Sequence, residues 1–248
     1  MTLIDLRLST VLLIAVHLVT APLPSIFPVC FRNDPDISDC IIQSVTVLQP
    51  RLITGDLGDG YLIPTADPFH IPKLSFGTER DFKTTLMNLQ IKGMSNFSIV
   101  KLKADINNLK FSMILSFPHL NLSSNYQMIF GLFGSPLYSN GQMFEKLENT
   151  RIGLRMKAKL YTKNNDQYMR FDPFYFKILQ SDVKSLRFTK LFPNTLFIGP
   201  TIYSYFSDNK EFVTRAIYPD FERTLSSAFT RMANELATSA TFDELFPL

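Results

Sequence analysis

The feature that most constrains this chain is a change in its hydrophobic period. Between about Phe69 and Phe188 apolar residues recur at every second position. Phe111, Met113, Leu115 and Phe117 share one phase against Ser112, Ile114 and Ser116. Ile152, Leu154, Met156, Ala158 and Leu160 alternate with Gly153, Arg155, Lys157, Lys159 and Tyr161; Thr85, Met87, Leu89 and Ile91 alternate with Leu86, Asn88, Gln90 and Lys92. Period two with one wet face marks antiparallel strands covered on one side only. Turn residues at Asn107-Asn108, Ser123-Ser124-Asn125, Ser139-Asn140-Gly141 and Lys163-Asn164-Asn165-Asp166 divide the region. They predict strands of about 8–12 residues, long enough to suggest a curved or rolled sheet. Beyond it, Val213, Ile217, Phe221, Leu225, Phe229, Met232 and Leu236 recur at spacings of four and three. That is a helix of about 25–30 residues, roughly 40 Å long, kinked at Pro219 or starting there. A sheet with one apolar face and a helix with one apolar stripe bury each other.

Upstream, Ile37, Ile41, Val45 and Leu48 predict a short amphipathic helix, capped by Asp36 or Ser38 and ended or bent by Pro50 and Gly55. Gly55 to Pro68 reads as loop. At the very start, Arg7 and the apolar run Val11–Val19, interrupted by His17, lead to Val19-Thr20-Ala21. This is the pattern of a secretory signal over residues 1–21, with an uncleaved anchor as the alternative. Pro22 sits badly after that cut, so cleavage can shift by a few residues. Residues 22–248 then form one domain, and the compartment is extracellular. Export permits a disulfide, and Cys30 and Cys40 are the one pair available. A loop this short gains about 3 kcal/mol on the chain-entropy account; two free buried thiols are the other possibility. Asn96-Phe97-Ser98 and Asn121-Leu122-Ser123 are glycosylation sequons.

Chemistry is harder to find. After signal removal only His70 and His119 remain, and neither has a ligand cluster nearby in sequence. There is no G-x-S-x-G elbow, no phosphate loop and no H-E-x-x-H; Gly55, Gly58 and Gly60 run opposite to the dinucleotide fingerprint. A net charge of +3 is too small to argue for nucleic acid, and two cysteines cannot make a four-thiolate zinc site. No catalytic residue, metal or cofactor is expected. An inert, Phe- and Met-rich interior suits carriage of a water-insoluble small molecule, although the same residues equally build an ordinary core.

Several segments resemble the insect takeout family, which includes the haemolymph juvenile hormone-binding proteins. They are Cys30-Phe31-Arg32-Asn33-Asp34-Pro35 with Cys40, Pro64-Thr65-Ala66-Asp67-Pro68-Phe69, Ile91-Lys92-Gly93-Met94-Ser95-Asn96-Phe97 and Phe117-Pro118-x-Leu120 followed by Tyr126 and Gly141. Asp182-Val183-Lys184, Asn209-Lys210-Glu211 and Phe242-Asp243-Glu244-Leu245-Phe246-Pro247 complete the set. Ser204-Tyr205-Phe206-Ser207-Asp208, the single Gly of Ser139-Asn140-Gly141 and the absence of Trp depart from the family pattern; the first two read as loop changes.

The resemblance implies an α+β fold: a long C-terminal amphipathic helix wrapped by a highly curved antiparallel sheet, with a short N-terminal gate helix and a hydrophobic tunnel. It implies a secreted, non-enzymatic carrier of a juvenile hormone-like terpenoid or other lipid. Its walls would come from Met113, Leu115, Phe117, Leu154, Met156, Phe221, Leu225, Phe229 and Met232, its gate from Ile41, Val45 and Leu48, and its polar anchor from Tyr126. The expected partner is a hydrophobic small molecule, with no nucleic acid and no integral membrane association; a receptor or delivery partner is left unnamed. The alternative is a signalling or interaction protein of the same fold, acting in feeding or circadian physiology. A lipid-ester hydrolase is disfavoured for want of a nucleophile motif.

Overall fold

The computed structural model describes residues 26–78, 82–132, 135–192 and 198–248. The expected signal segment lies outside them. In chain order the elements are α1 (Ile37–Leu48), continued by a 3-10 turn over Gln49–Leu52, then β1 (Phe69–Thr78), β2 (Phe82–Lys92), β3 (Ser98–Asp105), β4 (Lys110–Leu132), β5 (Ser135–Lys163), β6 (Asp166–Phe171) and β7 (Tyr175–Phe188), followed by α2 (Ile198–Asp208), α3 (Lys210–Ala237) and α4 (Phe242–Leu245). The alternating region, the loop before it and the long C-terminal helix are where the periodicity places them.

The strands differ from expectation in length. β4 has 23 residues and β5 has 29, and they pair antiparallel from Leu132↔Ser135 down to Lys110↔Lys157. Ser123-Ser124-Asn125 and Ser139-Asn140-Gly141 lie inside these strands and are not turns. Ser139 is buried there: its hydroxyl accepts from Phe192 N at 3.0 Å and donates to Lys190 O at 3.2 Å. A neighbouring segment therefore supplies the partners that a turn would have supplied locally. Turn propensity loses to tertiary context.

The sheet also corrects the expected shape. β2 and β3 sit end to end along one side of β4, pairing its second and first halves; β6 and β7 do the same along the far side of β5, and β1 flanks β2. The result is an open, seven-stranded ribbon, not a highly curved tube wrapped around the helix: among the described strands no pairing joins β1 to β6 or β7. The sheet grows lengthwise by docking short strands onto two long ones. Only about four or five strands stand side by side at any level, about 20 Å across, too narrow to encircle a helix of roughly 10 Å diameter.

Both long strands change phase midway. The inward residues of β4 are Phe111 and Phe117, then Leu120, Leu122, Tyr126 and Met128; those of β5 are Met143, Glu145 and Leu147, then Thr150, Ile152 and Leu154. Asn149, at the switch in β5, has φ of 50°. In β2 the register against β4 shifts between Met87 and Gln90, and Asn88 there has φ of 53°. One extra residue turns the strand over, so Thr84 and Leu86 face the core before it and Leu89 and Ile91 after it. The expected pairing of Thr85 and Met87 with Leu89 and Ile91 on one face holds only beyond the bulge. Asparagine suits such a position because it tolerates the left-handed region.

α3 packs against β7, β6 and β1 and is anchored by polar residues at every fourth position. Glu222 accepts from Ile178 N at 2.8 Å, Ser226 donates to Phe174 O, and Thr230 accepts from Phe174 N at 2.8 Å. Asn234 accepts from Phe171 N at 2.7 Å and donates to Phe171 O at 3.1 Å. Backbone groups at this sheet edge, which would otherwise invite another chain, are thus satisfied by helix side chains. Preceding α3, the segment Ser204–Asp208 belongs to helix α2 rather than to an altered loop.

The segments carrying the family resemblance are contact pairs. Arg32 donates through its backbone N to Pro247 O at 2.8 Å and through Nε to Phe246 O at 2.7 Å; it also pairs with Asp243 and lies 4.6 Å from the Phe242 ring centre. Asp67 accepts from Gly93 N at 3.0 Å and from Ser95 Oγ at 2.8 Å, joining the proline loop to the turn after β2. Gly141 stands opposite Tyr126, where a Cβ would lie 3.1 Å from the Tyr ring and 2.2 Å from Thr189 O.

Candidate functional site

Between the inner face of the sheet and α3 lies a cavity of about 40 Å³. The sheet side of its wall is built by Leu86, Leu89 and Ile91 of β2, Leu120 and Leu122 of β4, and Met143, Leu147 and Ile152 of β5. The helix side is Ile217, Phe221 and Leu225, three successive members of the sequence-predicted stripe. These residues meet here because the cavity straddles the phase switch of β5, with Met143 and Leu147 facing inward before Asn149 and Ile152 facing inward after it.

One part of the wall is polar. Glu145, between Met143 and Leu147 on the inner face of β5, is only 5% exposed. Its Oε1 accepts a hydrogen bond from the hydroxyl of Thr214 on α3. Burial pushes its carboxyl up from 4.5 to about 7, with the Thr214 bond acting the other way. Beside it, Thr150 and Ser181 hydroxyls lie 2.8 Å apart, and the Tyr218 phenol shares the same wall. Burial raises the Tyr218 phenol, and the charge of Glu145 raises it further. All five of these residues line the cavity. Nothing singled them out in the sequence. The one usable signal is the phase Met143–Glu145–Leu147, masked by the apolar Phe144 in the opposite phase.

The expected site residues are distributed as follows. Phe221 and Leu225 line the cavity. Phe117 and Leu154 are buried in the core away from it, and Met113, Leu115 and Met156 pack half-buried on that core. Phe229 stacks on Phe69 at 5.3 Å and lies 5.4 Å from Phe176, while Met232 packs half-buried nearby. Tyr126 is 1% exposed and stands outside the cavity wall; its hydroxyl is 3.1 Å from Ser139 Oγ and donates to Thr189 O at 2.9 Å. Those bonds give the buried phenol partners within the protein.

Ile41 packs in a second core with Cys30, Ile106, Phe111 and Phe242, at the end of the ribbon where the Cys30–Ile41 segment meets the C-terminal residues. Val45 and Leu48 are half-buried on the same helix. α1 is held by the Cys30–Cys40 disulfide, by Ser38 accepting from Ala104 N at 3.0 Å, and by Gln49 donating to Ser95 O and Phe97 O at 2.8 and 2.7 Å. Asn96 and Asn121 are exposed. Among the described residues no cluster of His, Cys, Asp and Glu could hold a metal, and no helix is long and apolar enough to cross a membrane.

Comparison with known proteins places the chain as a whole. The crystal structure of Epiphyas postvittana Takeout 1 superimposes with a TM-score of 0.70 at 17% identity, covering 89% of this chain and 100% of that one. The crystal structure of lipopolysaccharide binding protein gives a TM-score of 0.37 at 11% identity, covering 79% of this chain and 37% of that one. No curated protein matches by sequence. The family model for haemolymph juvenile hormone binding protein (JHBP) matches residues 9–247. Nearly the whole chain is spanned by that match, so the chain belongs to the haemolymph juvenile hormone binding protein family, the takeout family of the sequence resemblance.

Proposed function

We propose that this protein is an exported carrier that takes a hydrophobic small molecule, in the first instance a juvenile hormone-like terpenoid or another lipid, into the cavity under α3. Membership of the family makes it a non-catalytic binding protein. The observation that supports the carrier reading is the wall itself: aliphatic residues from β2, β4, β5 and α3, with a polar group at one place. That is the composition of small-molecule sites. Contact with apolar wall at about 25 cal/mol per Å² is enough for micromolar affinity without a charge pair.

Size sets a condition. Ligand sites run to about 300–1,000 Å³, and this cavity is about 40 Å³. In place of a standing tunnel, the carrier reading requires α3 to part from the sheet when cargo enters. α1, with Ile41, Val45 and Leu48, then covers the far end of the same sheet–helix seam. The small volume is also what favours the second reading, an interaction protein whose interior stays closed.

The two readings separate in one experiment. Protein secreted from insect cells is examined by native mass spectrometry and solvent extraction, and its uptake of the neutral probe N-phenyl-1-naphthylamine is titrated. A carrier arrives with lipid or takes the probe. Ile217→Phe, which fills the cavity from a half-buried position, is expected to cut uptake at least tenfold while the unfolding midpoint holds. A protein that carries no lipid and takes no probe is the interaction protein instead.

A further inference from the structure

Most of the cavity wall needs no explanation beyond burial of apolar surface, but Glu145 does. An acidic residue in the inward phase between Met143 and Leu147 is unfavourable in an apolar wall, and among the described residues no cation pairs with it; its bonding partner is the hydroxyl of Thr214. A leucine there would complete the wall. We propose that Glu145, with Thr214 and Tyr218, is the head-group site of the cavity, and that it selects ligands whose apolar body ends in a neutral hydrogen-bond acceptor such as an ester, ketone or ether oxygen. This rests on the carrier reading and adds to it the chemical class of the cargo.

The geometry carries the selection this far: Thr214 bonds the carboxyl directly, and the hydroxyls of Thr150, Ser181 and Tyr218 line the same wall. A protonated carboxyl is a donor as well as an acceptor, whereas an ionised one is an acceptor only. An acceptor oxygen is therefore held by the acid form and loses its donor when the proton leaves. A ligand carboxylate would put a second negative charge beside Glu145 in a water-poor cavity, and like charges disfavour one another strongly there.

The surrounding groups leave this switch to Glu145. Its cross-strand neighbours on β4 and β7 are Leu122 and Leu186. From α3 the titratable groups are Tyr218, whose phenol burial raises further above its ordinary value, and Glu211 and Arg215, exposed and 3.9 Å apart with opposite charges. Burial holds the carboxyl of Glu145 near 7. Binding of an acceptor-headed ligand accordingly weakens as pH rises through neutrality.

The test is displacement of bound N-phenyl-1-naphthylamine by methyl hexadecanoate at pH 5.5 and pH 8.5, and by hexadecanoate at pH 8.5. In the natural protein the ester is expected to bind about tenfold more tightly at pH 5.5 than at pH 8.5, the range one hydrogen bond supplies. Hexadecanoate at pH 8.5 should compete at least tenfold more weakly than the ester at that pH. Glu145→Gln keeps a donor at both pH values and should remove the ester's pH dependence while retaining its affinity. Glu145→Leu should bind the ester about five- to tenfold more weakly at pH 5.5, measured relative to that variant's own affinity for the probe; if it does not fold, the Gln variant decides alone. Probe binding with an ester affinity independent of pH, or equally pH-dependent in Glu145→Gln, overturns the head-group site and leaves the carrier standing. So does equal competition by hexadecanoate. Failure of the natural protein to take the probe overturns the carrier reading, and the head-group site with it.

Discussion

Single residues here show what alternation conceals. Tyr126 is legible as an important tyrosine because it belongs to a recognisable segment, but its partners, Ser139 and Thr189 O, come from about 13 and 63 residues away and leave no trace in the local pattern. Glu145 is hidden for a different reason: its phase is inward only because β5 turns over at Asn149. Its burial has a thermodynamic consequence independent of any ligand. The carboxyl binds its proton more tightly in the folded state, at about 7 against 4.5, so the folded chain holds more protons than the unfolded one between those values and stability falls as pH rises through them. Each tenfold difference in proton affinity between the two states is worth about 1.4 kcal/mol, so the protein is expected to lose about 2 to 3 kcal/mol between pH 5 and pH 8 from this group. Urea unfolding of the natural protein and of Glu145→Gln at both pH values measures it: the loss should be smaller by that amount in the variant. Equal losses would mean that the carboxyl reaches water.

At the scale of elements, the long helix is readable to within a few residues because its stripe repeats along its whole length without interruption, and its register needs no partner. The strands are readable as strands but not as two long ones, since a strand's end depends on where its neighbours stop. The polar seam of α3 is not readable at all: Glu222, Ser226, Thr230 and Asn234 look like an ordinary solvated face. They serve instead as hydrogen-bond partners for the free edge of β6 and β7. Asn234 is the clearest member, meeting both the N–H and the C=O of Phe171. Asn234→Ala leaves two part-buried backbone groups without these partners, and the expected cost is about 2 kcal/mol of folding stability. Chemical denaturation checks this. A loss within a few tenths of a kcal/mol would show that water replaces the side chain and that the seam orients α3 without stabilising it.

The whole molecule is an open ribbon closed on one face by a helix, and how such a body could admit cargo follows from how unevenly the helix is held. From Glu222 to Asn234, α3 is bonded to the sheet edge at each turn. From Val213 to Phe221 it rests mainly on apolar contacts, with Thr214 on Glu145 as a polar tie. Pro219 lies between the two halves. It has no N–H to donate back into the preceding turn, so the helix is weakest in bending there. The cavity sits under Thr214 to Leu225, beneath the loosely held half and the hinge. Apolar contacts are non-directional and re-form after sliding, whereas the hydrogen-bonded half must break several bonds at once to lift. Opening should therefore begin at the N-terminal half of α3, by bending at Pro219. In hydrogen exchange, the amides of Lys210–Phe221 should exchange faster than those of Glu222–Ala237 in the ligand-free protein, and N-phenyl-1-naphthylamine should slow the first group and leave the second unchanged. Slowing confined to α1 would place the entrance at the disulfide end of the ribbon, with α1 as the moving part. A uniform response along α3 would mean that the helix lifts as one rigid body and that the proline is no hinge.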